Sequence, residues 1–393
     1  MSDVAAPSSA PPRLPAPTRR VYIDWLRGVA VLVMILWHSI DSWTVQDAAV
    51  RKSASFATII FLAGWAAPLF LFLAGVSLPL AGAARMARGL DRRAASAMLQ
   101  RRGWQVFLIA HLFRLQSFLL NPNGKWNGLL KPDILNILGL AFVYAAFAWG
   151  RATTRRALLW WLVAPSVVIV ALLTPLAPTW WWPTMLHPRL AGYIRVADNN
   201  AVFSLFPAAA YLLLGAFFGT LTSEHTERDR SFHARTAIWG GALFAIAGVI
   251  ALLPWPRSIW FWIGSTAIVS WRIGTMLLLL VISWWFLLRH AVTSMSPLIV
   301  FGRTSLFVYW VHVELAYGNF SFPLHHELTL PWALLAYAGL TLLMLVAARL
   351  WLRHAPRTPL VPAYMRGDSA ANGTSHGRRY PLASRLSDGA PGL

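Results

Sequence analysis

Long uncharged apolar runs recur from Val21 to Leu350, and no other feature limits the fold of this chain so strongly. A helix crossing the hydrocarbon core of a bilayer needs roughly 20 such residues. The chain has 393 residues, 57% of them hydrophobic and only 12% charged. A soluble domain carries about 25% charged residues, so a water-exposed globular enzyme is excluded, and so is a disordered chain. The expected fold class is all-α, a polytopic membrane helix bundle of about ten transmembrane helices. The spans fall near 21–43, 56–82, 103–120, 134–150, 157–174, 202–221, 237–253, 271–288, 297–318 and 331–349. The number of spans around 258–288 stays open, because Arg272 interrupts an apolar stretch there. Residues 1–18, rich in Ala, Pro and Ser, and the polar stretch 354–393 read as disordered tails flanking a membrane domain over 19–353.

The formal net charge of +20 does not point to nucleic acid, because the arginines sit in loops between the apolar runs. Arg19 and Arg20 precede the first span, Arg85 to Arg102 fill the second loop, and Arg151, Arg155 and Arg156 lie in the fourth. Arg228, Arg230 and Arg235 follow in the sixth and Arg289 in the eighth, while the alternate loops hold few cations. This alternation is what the positive-inside rule produces, and it puts both termini in the cytoplasm. The expected location is the cell inner (cytoplasmic) membrane. Without cysteine the chain has no disulfide, thiolate metal site or cysteine nucleophile. Trp180, Trp181 and Trp182 mark an outer interface. An anchoring belt is the ordinary reading of such a cluster, and a sugar-stacking platform the alternative.

Charges inside the spans carry the chemical information, since each costs a few kcal/mol at mid-membrane. In the first span Arg27 and His38 stand eleven positions apart, which is within about 20° on a helix and roughly 16 Å along it. Asp24 and Asp41 flank the pair on the same polar stripe. Arg27, near the cytoplasmic mouth, is suited to a phosphate or carboxylate. His38, with Asp41 one turn away, is suited to general base catalysis. The structural alternatives are an interfacial Asp24–Arg27 ion pair and a buried histidine bonded to a carbonyl. The ninth span supplies Arg303, His312 and Glu314, with Ser305, Tyr309 and His312 on one face and Arg303, Trp310, Glu314 and Tyr317 on another. His111 and Arg114 in the third span, and Asp133 with Asn136 at the fourth, are weaker signals. Pro68 and Gly75 suggest a kinked, closely packed second span. No nucleotide-binding loop, metal-ligand spacing or nucleophile elbow is present.

Several of these stretches together carry a family resemblance: Asp24-x-x-Arg27-Gly28 with His38, Pro68-Leu-Phe-Leu-Phe-Leu-Ala-Gly-Val-Ser77, Asp133-Ile-Leu-Asn-Ile-Leu-Gly139 and the run Gly302 to Glu314. The chain resembles bacterial relatives of heparan-alpha-glucosaminide N-acetyltransferase, within the wider group that includes acyltransferase-3 proteins. The resemblance covers nearly all of 20–349. It implies acetyl-CoA or another acyl-CoA as donor on the cytoplasmic side and a glycan or similar hydroxyl or amine acceptor across the membrane. Arg27 and His38 match the Arg-x10-His pair of the acyltransferase-3 branch, in which the histidine is the base. The lysosomal heparan branch has asparagine at the position of His38 and a histidine in the following loop, whereas residues 44–55 here contain none. On this reading His38, Asp41, His312 and Glu314 are the catalytic candidates, and Asp41 or Glu314 orients His38. Asp24, Arg27, Arg114 and Arg303 are the donor-binding ones, no metal is expected, and the partners are the bilayer, acyl-CoA and the acceptor. Homodimer formation is left open. The rival reading is a proton-coupled transporter or an envelope scaffold, although the paired broken repeats of many transporters are missing from the sequence.

Overall fold

The computed structural model describes residues 19–45, 47–120, 128–195 and 203–354. The tails expected over 1–18 and beyond the end of the last helix lie outside the described residues. Among the described residues the chain is helical, with one isolated β-bridge between Thr44 and Leu328 and no strand. The main helices are α1 (Val21–Trp43), α2 (Ala54–Ala63), α3 (Ala66–Met86), α4 (Arg92–Leu120), α5 (Ile134–Arg151) and the irregular α6 (Arg155–Thr179). They continue as α7 (Leu205–Ser223), α8 (Arg230–Leu252), α9 (Arg257–Arg289), α10 (Pro297–Arg303), α11 (Ser305–Tyr317) and α12 (Leu330–His354). Eight of the described spans are long and apolar enough to cross a membrane, or nine if α10 and α11 count as one. This is an all-α polytopic membrane bundle.

Burial ranks the helices by position. α1 lies at the centre, with Ala30, Val31 and Ile35 sealed from solvent, and packs against α3, α9, α10, α11 and α12. By contrast α8 and α12 turn Ile238, Trp239, Ile246, Leu335, Leu342 and Leu343 outward, as lipid-facing helices do. The closest approach between long helices is that of α3 and α7. A Cβ added to Gly75 would come within 2.1 Å of the Leu212 carbonyl oxygen, and one on Gly215 within 2.2 Å of that of Phe72. One on Gly219 would meet the Val76 oxygen at 2.3 Å. Small residues at four-residue spacing let two backbones touch, and dispersion between them replaces the hydrophobic drive that lipid cannot supply.

The third and ninth expected spans are corrected, and two others are refined. The third expected span falls inside α4, whose 29 residues, arginine-rich in the first half, are not apolar enough to be counted as a span. The second expected span is one continuous candidate span, Ala54–Met86, with a turn at Gly64 and Trp65 between α2 and α3 that precedes Pro68. The region left open around Arg272 is one unbroken 33-residue helix. The ninth is bent by 91° between α10 and α11. Thr304 sits at the bend with φ −110° and ψ 17°, its hydroxyl donating to the Val300 carbonyl at 2.8 Å. Arg303 therefore stands on a different helix from His312 and Glu314, and the shared face expected for Arg303, Trp310, Glu314 and Tyr317 does not exist. In α6 the prolines Pro165 and Pro175 each follow a π-helical turn, because proline removes one ladder donor and the turn before it widens.

Candidate functional site

α1 and α11 run parallel with a fixed register. His38 meets His312, and Ser42 donates to the Ala316 carbonyl at 2.6 Å, both pairs 274 residues apart. Trp43 Nε1 reaches the same carbonyl at 3.1 Å. The chain beyond α11 then folds back over the end of α1, with Leu328 N donating to Trp43 O and Val45 N donating to Leu328 O, each at 2.9 Å. These bonds lock the two helix ends together, and the histidine pair lies one turn further in.

His38 Nδ1 and His312 Nε2 are 2.8 Å apart, with ring centroids separated by 5.0 Å. His312 is completely buried, whereas His38 is only partly covered. The proton positions follow from the partners. His312 Nδ1 lies 2.5 Å from the Val308 carbonyl, which can only accept, so this nitrogen carries the hydrogen. In the neutral ring Nε2 of His312 is then an acceptor. His38 must donate to it from Nδ1, which leaves the lone pair of His38 on Nε2. A neutral imidazole with a fixed donor and a free lone pair is the form a general base needs.

Neither carboxylate expected beside His38 bonds its ring among the described residues. Asp41 accepts from the Tyr317 hydroxyl at 2.7 Å, and the Tyr317 ring meets His38 edge-on at 5.6 Å. Glu314 keeps Oε1 buried without a hydrogen-bond partner among the described residues. The ring nitrogen of His38 is held by His312 instead of by Asp41 or Glu314. A second network adjoins: Tyr309, whose ring lies 6.1 Å from His312, donates to Asp133 at 2.9 Å, and Arg114 pairs with the same carboxylate at 3.2 Å. Asp133 and Asn136 also form the capping box of α5, which fixes the carboxylate in place. Arg114, expected at the donor end, thus stands at the histidine end. Beside it, burial together with Arg114 and Arg189 pushes the Lys131 ammonium below its usual value, and Asp133 opposes the shift. His111 Nδ1 lies 3.1 Å from the Asn136 amide nitrogen.

About 16 Å along α1 from His38, toward its N-terminus, lies the arginine cluster. Asp24, 6% exposed, pairs with Arg19 and with Arg27 Nη1, the latter at 3.1 Å. Arg27 Nη2 reaches the Ser77 hydroxyl at 2.5 Å, and Nη1 lies 3.5 Å from the Gly302 carbonyl. One guanidinium thus joins α1, α3 and α10. All four polar residues of the α1 stripe are placed, with Asp24 and Arg27 beside α10 and His38 and Asp41 against α11. Arg303 closes α10, whose Gly302 abuts the Asp24 backbone. Ser77 is the participant that the residue pattern alone did not single out. Its signal was its place as the polar end of an otherwise apolar motif. Removing its hydroxyl takes one charge-assisted bond from Arg27, so Ser77→Ala is expected to cost about 1–2 kcal/mol. Ser77→Thr should retain most of that stability, and thermal unfolding of the two detergent-purified variants measures the difference.

Among the described residues no group of three or more His, Asp or Glu side chains is placed to hold a metal ion. A family model described as heparan-alpha-glucosaminide N-acetyltransferase, catalytic, matches residues 19–256. The match spans more than half the chain and includes Asp24, Arg27, His38, Asp41 and Arg114, while Arg303, His312 and Glu314 follow it. No curated protein matches the chain.

Proposed function

The chain belongs to the heparan-alpha-glucosaminide N-acetyltransferase catalytic family, and from that premise we propose that it transfers an acetyl group from acetyl-CoA, bound from the cytoplasmic side, to a hydroxyl or amine of an envelope glycan or similar acceptor. His38 is the general base. The observation that carries this reading is the His38–His312 pair, held toward the C-terminal end of α1 with no hydrogen-bond partner on His38 Nε2 among the described residues. The positive-inside reading of the loop arginines supports this sidedness, with the Arg19–Asp24–Arg27 cluster at the cytoplasmic mouth and the histidine end of α1 on the far side. The separation of roughly 16 Å along α1 suits an extended pantetheine arm between nucleotide and thioester.

Arg27 is already engaged by Asp24, Ser77 and Gly302, so in this scheme it shapes the mouth and offers the donor only its remaining exposed edge. The acceptor approaches from the opposite side, past Tyr317 and Asp41. His38 Nε2 removes its proton as it attacks the thioester carbonyl, and the CoA sulfur leaves.

Sided vesicles test the reading without knowledge of the acceptor. Protein reconstituted into liposomes is given acetyl-CoA, which does not cross the bilayer, on one face only, and CoA release is followed with glucosamine or a simple sugar alcohol on the other. Release driven from the arginine-rich face and stimulated by the trans amine or hydroxyl supports the proposal. Wild-type protein that neither binds acetyl-CoA nor releases CoA overturns it.

A further inference from the structure

Several histidines of this protein share a habit from which His38, like the Trp284-stacked His233, departs. His111 and His354 within helices, and His225 and His290 just beyond helix ends, each place Nδ1 by the carbonyl four residues back, at distances between 2.8 and 3.1 Å. His312 does the same with Val308. His38 instead turns Nδ1 away from its own helix and across to a second imidazole. A backbone carbonyl would orient the ring equally well. What it cannot do is accept a proton outright, and a neutral imidazole nitrogen can.

We propose that His38 and His312 form a two-imidazole proton store in which His312 is the positioning residue. The proposal deepens the acyl-transfer reading and rests on it. As the acceptor attacks, a bond forms between its oxygen or nitrogen and the acyl carbon, and its proton goes to His38 Nε2. The Nδ1 hydrogen of His38 passes to His312 Nε2. His312 then carries hydrogens on both nitrogens, one directed at Val308 O and the other at His38. The C–S bond breaks with its electron pair on sulfur, the thiolate takes the Nε2 proton of His38, and the Nδ1 hydrogen returns from His312. The products are acylated acceptor and CoA thiol, and the pair regains its starting state.

The surroundings explain why a second imidazole takes this place. Neither ring has a carboxylate oxygen within 4.0 Å among the described residues. Of the titratable groups facing the pair, Asp41 is held by Tyr317, and Asp133 by Tyr309 and Arg114. Glu314, on α11, makes no ion pair with either ring. A carboxylate would place a fixed negative charge beside the base, whereas His312 leaves the pair without net charge until the acceptor proton arrives.

Histidine-selective ¹⁵N NMR on the full-length protein in detergent reads the resting state without any substrate. Expected are a protonated Nδ1 and bare Nε2 on His38, and a nitrogen–nitrogen coupling across the 2.8 Å contact to His312. His312→Gln supplies a carbonyl oxygen that accepts the same hydrogen but cannot keep a proton. It should preserve the His38 tautomer and the KM for acetyl-CoA, and lower kcat by less than the roughly 10²- to 10⁴-fold loss of the base itself. A proton inventory in mixed H₂O and D₂O should be curved for wild type and linear for His312→Gln. A wild-type His38 protonated on Nε2 overturns the assignment. Turnover and proton inventory unchanged in His312→Gln overturn the proton store alone, with His312 reduced to an orienting group. Wild type that turns over no acetyl-CoA overturns the acyl-transfer reading, and the store falls with it.

Discussion

Replacing His38 with alanine is expected to lower acetyl transfer by roughly 10²- to 10⁴-fold, the usual worth of a positioned general base. Affinity for acetyl-CoA should stay close to that of wild type. The separation of effects follows from distance: the arginine cluster is three turns of α1 away, and its bonds to Asp24, Ser77 and Gly302 do not involve His38. Stability should fall by about 1–3 kcal/mol, because the loss of His38 leaves the buried Nε2 acceptor of His312 unpaired. His38→Gln sharpens the test, since it fills a similar volume and can still donate to His312 without serving as a base. If His38→Gln transferred acetyl at the wild-type rate, the base would have to be sought elsewhere. Glu314, with its buried uncommitted oxygen, would be the first place to look.

The stripe on α1 was legible in the sequence because helical periodicity is a local property. Asp24, Arg27, His38 and Asp41 had to share a face, and that face had to meet protein, since lipid would not tolerate it. Its partners were not legible. The register that sets His38 against His312 joins residues 274 positions apart and depends on the Ser42–Ala316 bond and on the return loop at Leu328. No spacing rule reaches that far. Asp41 looked like the natural orienter from one turn away, yet Tyr317 of another helix claims it. Hydropathy likewise treats 297–318 as one run, because Gly302-Arg303-Thr304-Ser305 contains no proline at the 91° bend. The bend arises from packing: α10 is drawn across α1 at two glycines, and α11 must turn to lie parallel with it.

That crossing carries the largest structural effect expected from a single methyl group. A Cβ on Gly302 would lie 1.9 Å from the Asp24 carbonyl oxygen, and one on Gly28 would lie 2.0 Å from that of Leu298. Both obstacles are backbone atoms on buried helices, so no side chain can rotate out of the way. Gly302→Ala or Gly28→Ala must push α10 off α1, and overpacking against backbone is expected to cost about 3 kcal/mol, the upper end of the usual range. The displacement would also stretch the Arg27 contact to Gly302 and unsettle the ion pairs of Asp24 below it. Gly241 in α8 is the control, because nothing lies within 4 Å of its Cβ position. Gly241→Ala should be neutral or slightly stabilising, since alanine is the better helix former. Melting temperature and monodispersity in detergent decide the matter: equal melting of Gly302→Ala and Gly241→Ala would mean that α10 does not seat against α1. A large loss confined to Gly28 and Gly302 would show that the seam fixes α10. Because α11 follows α10 after the single residue Thr304, the same seam would then set where His312 is presented to His38.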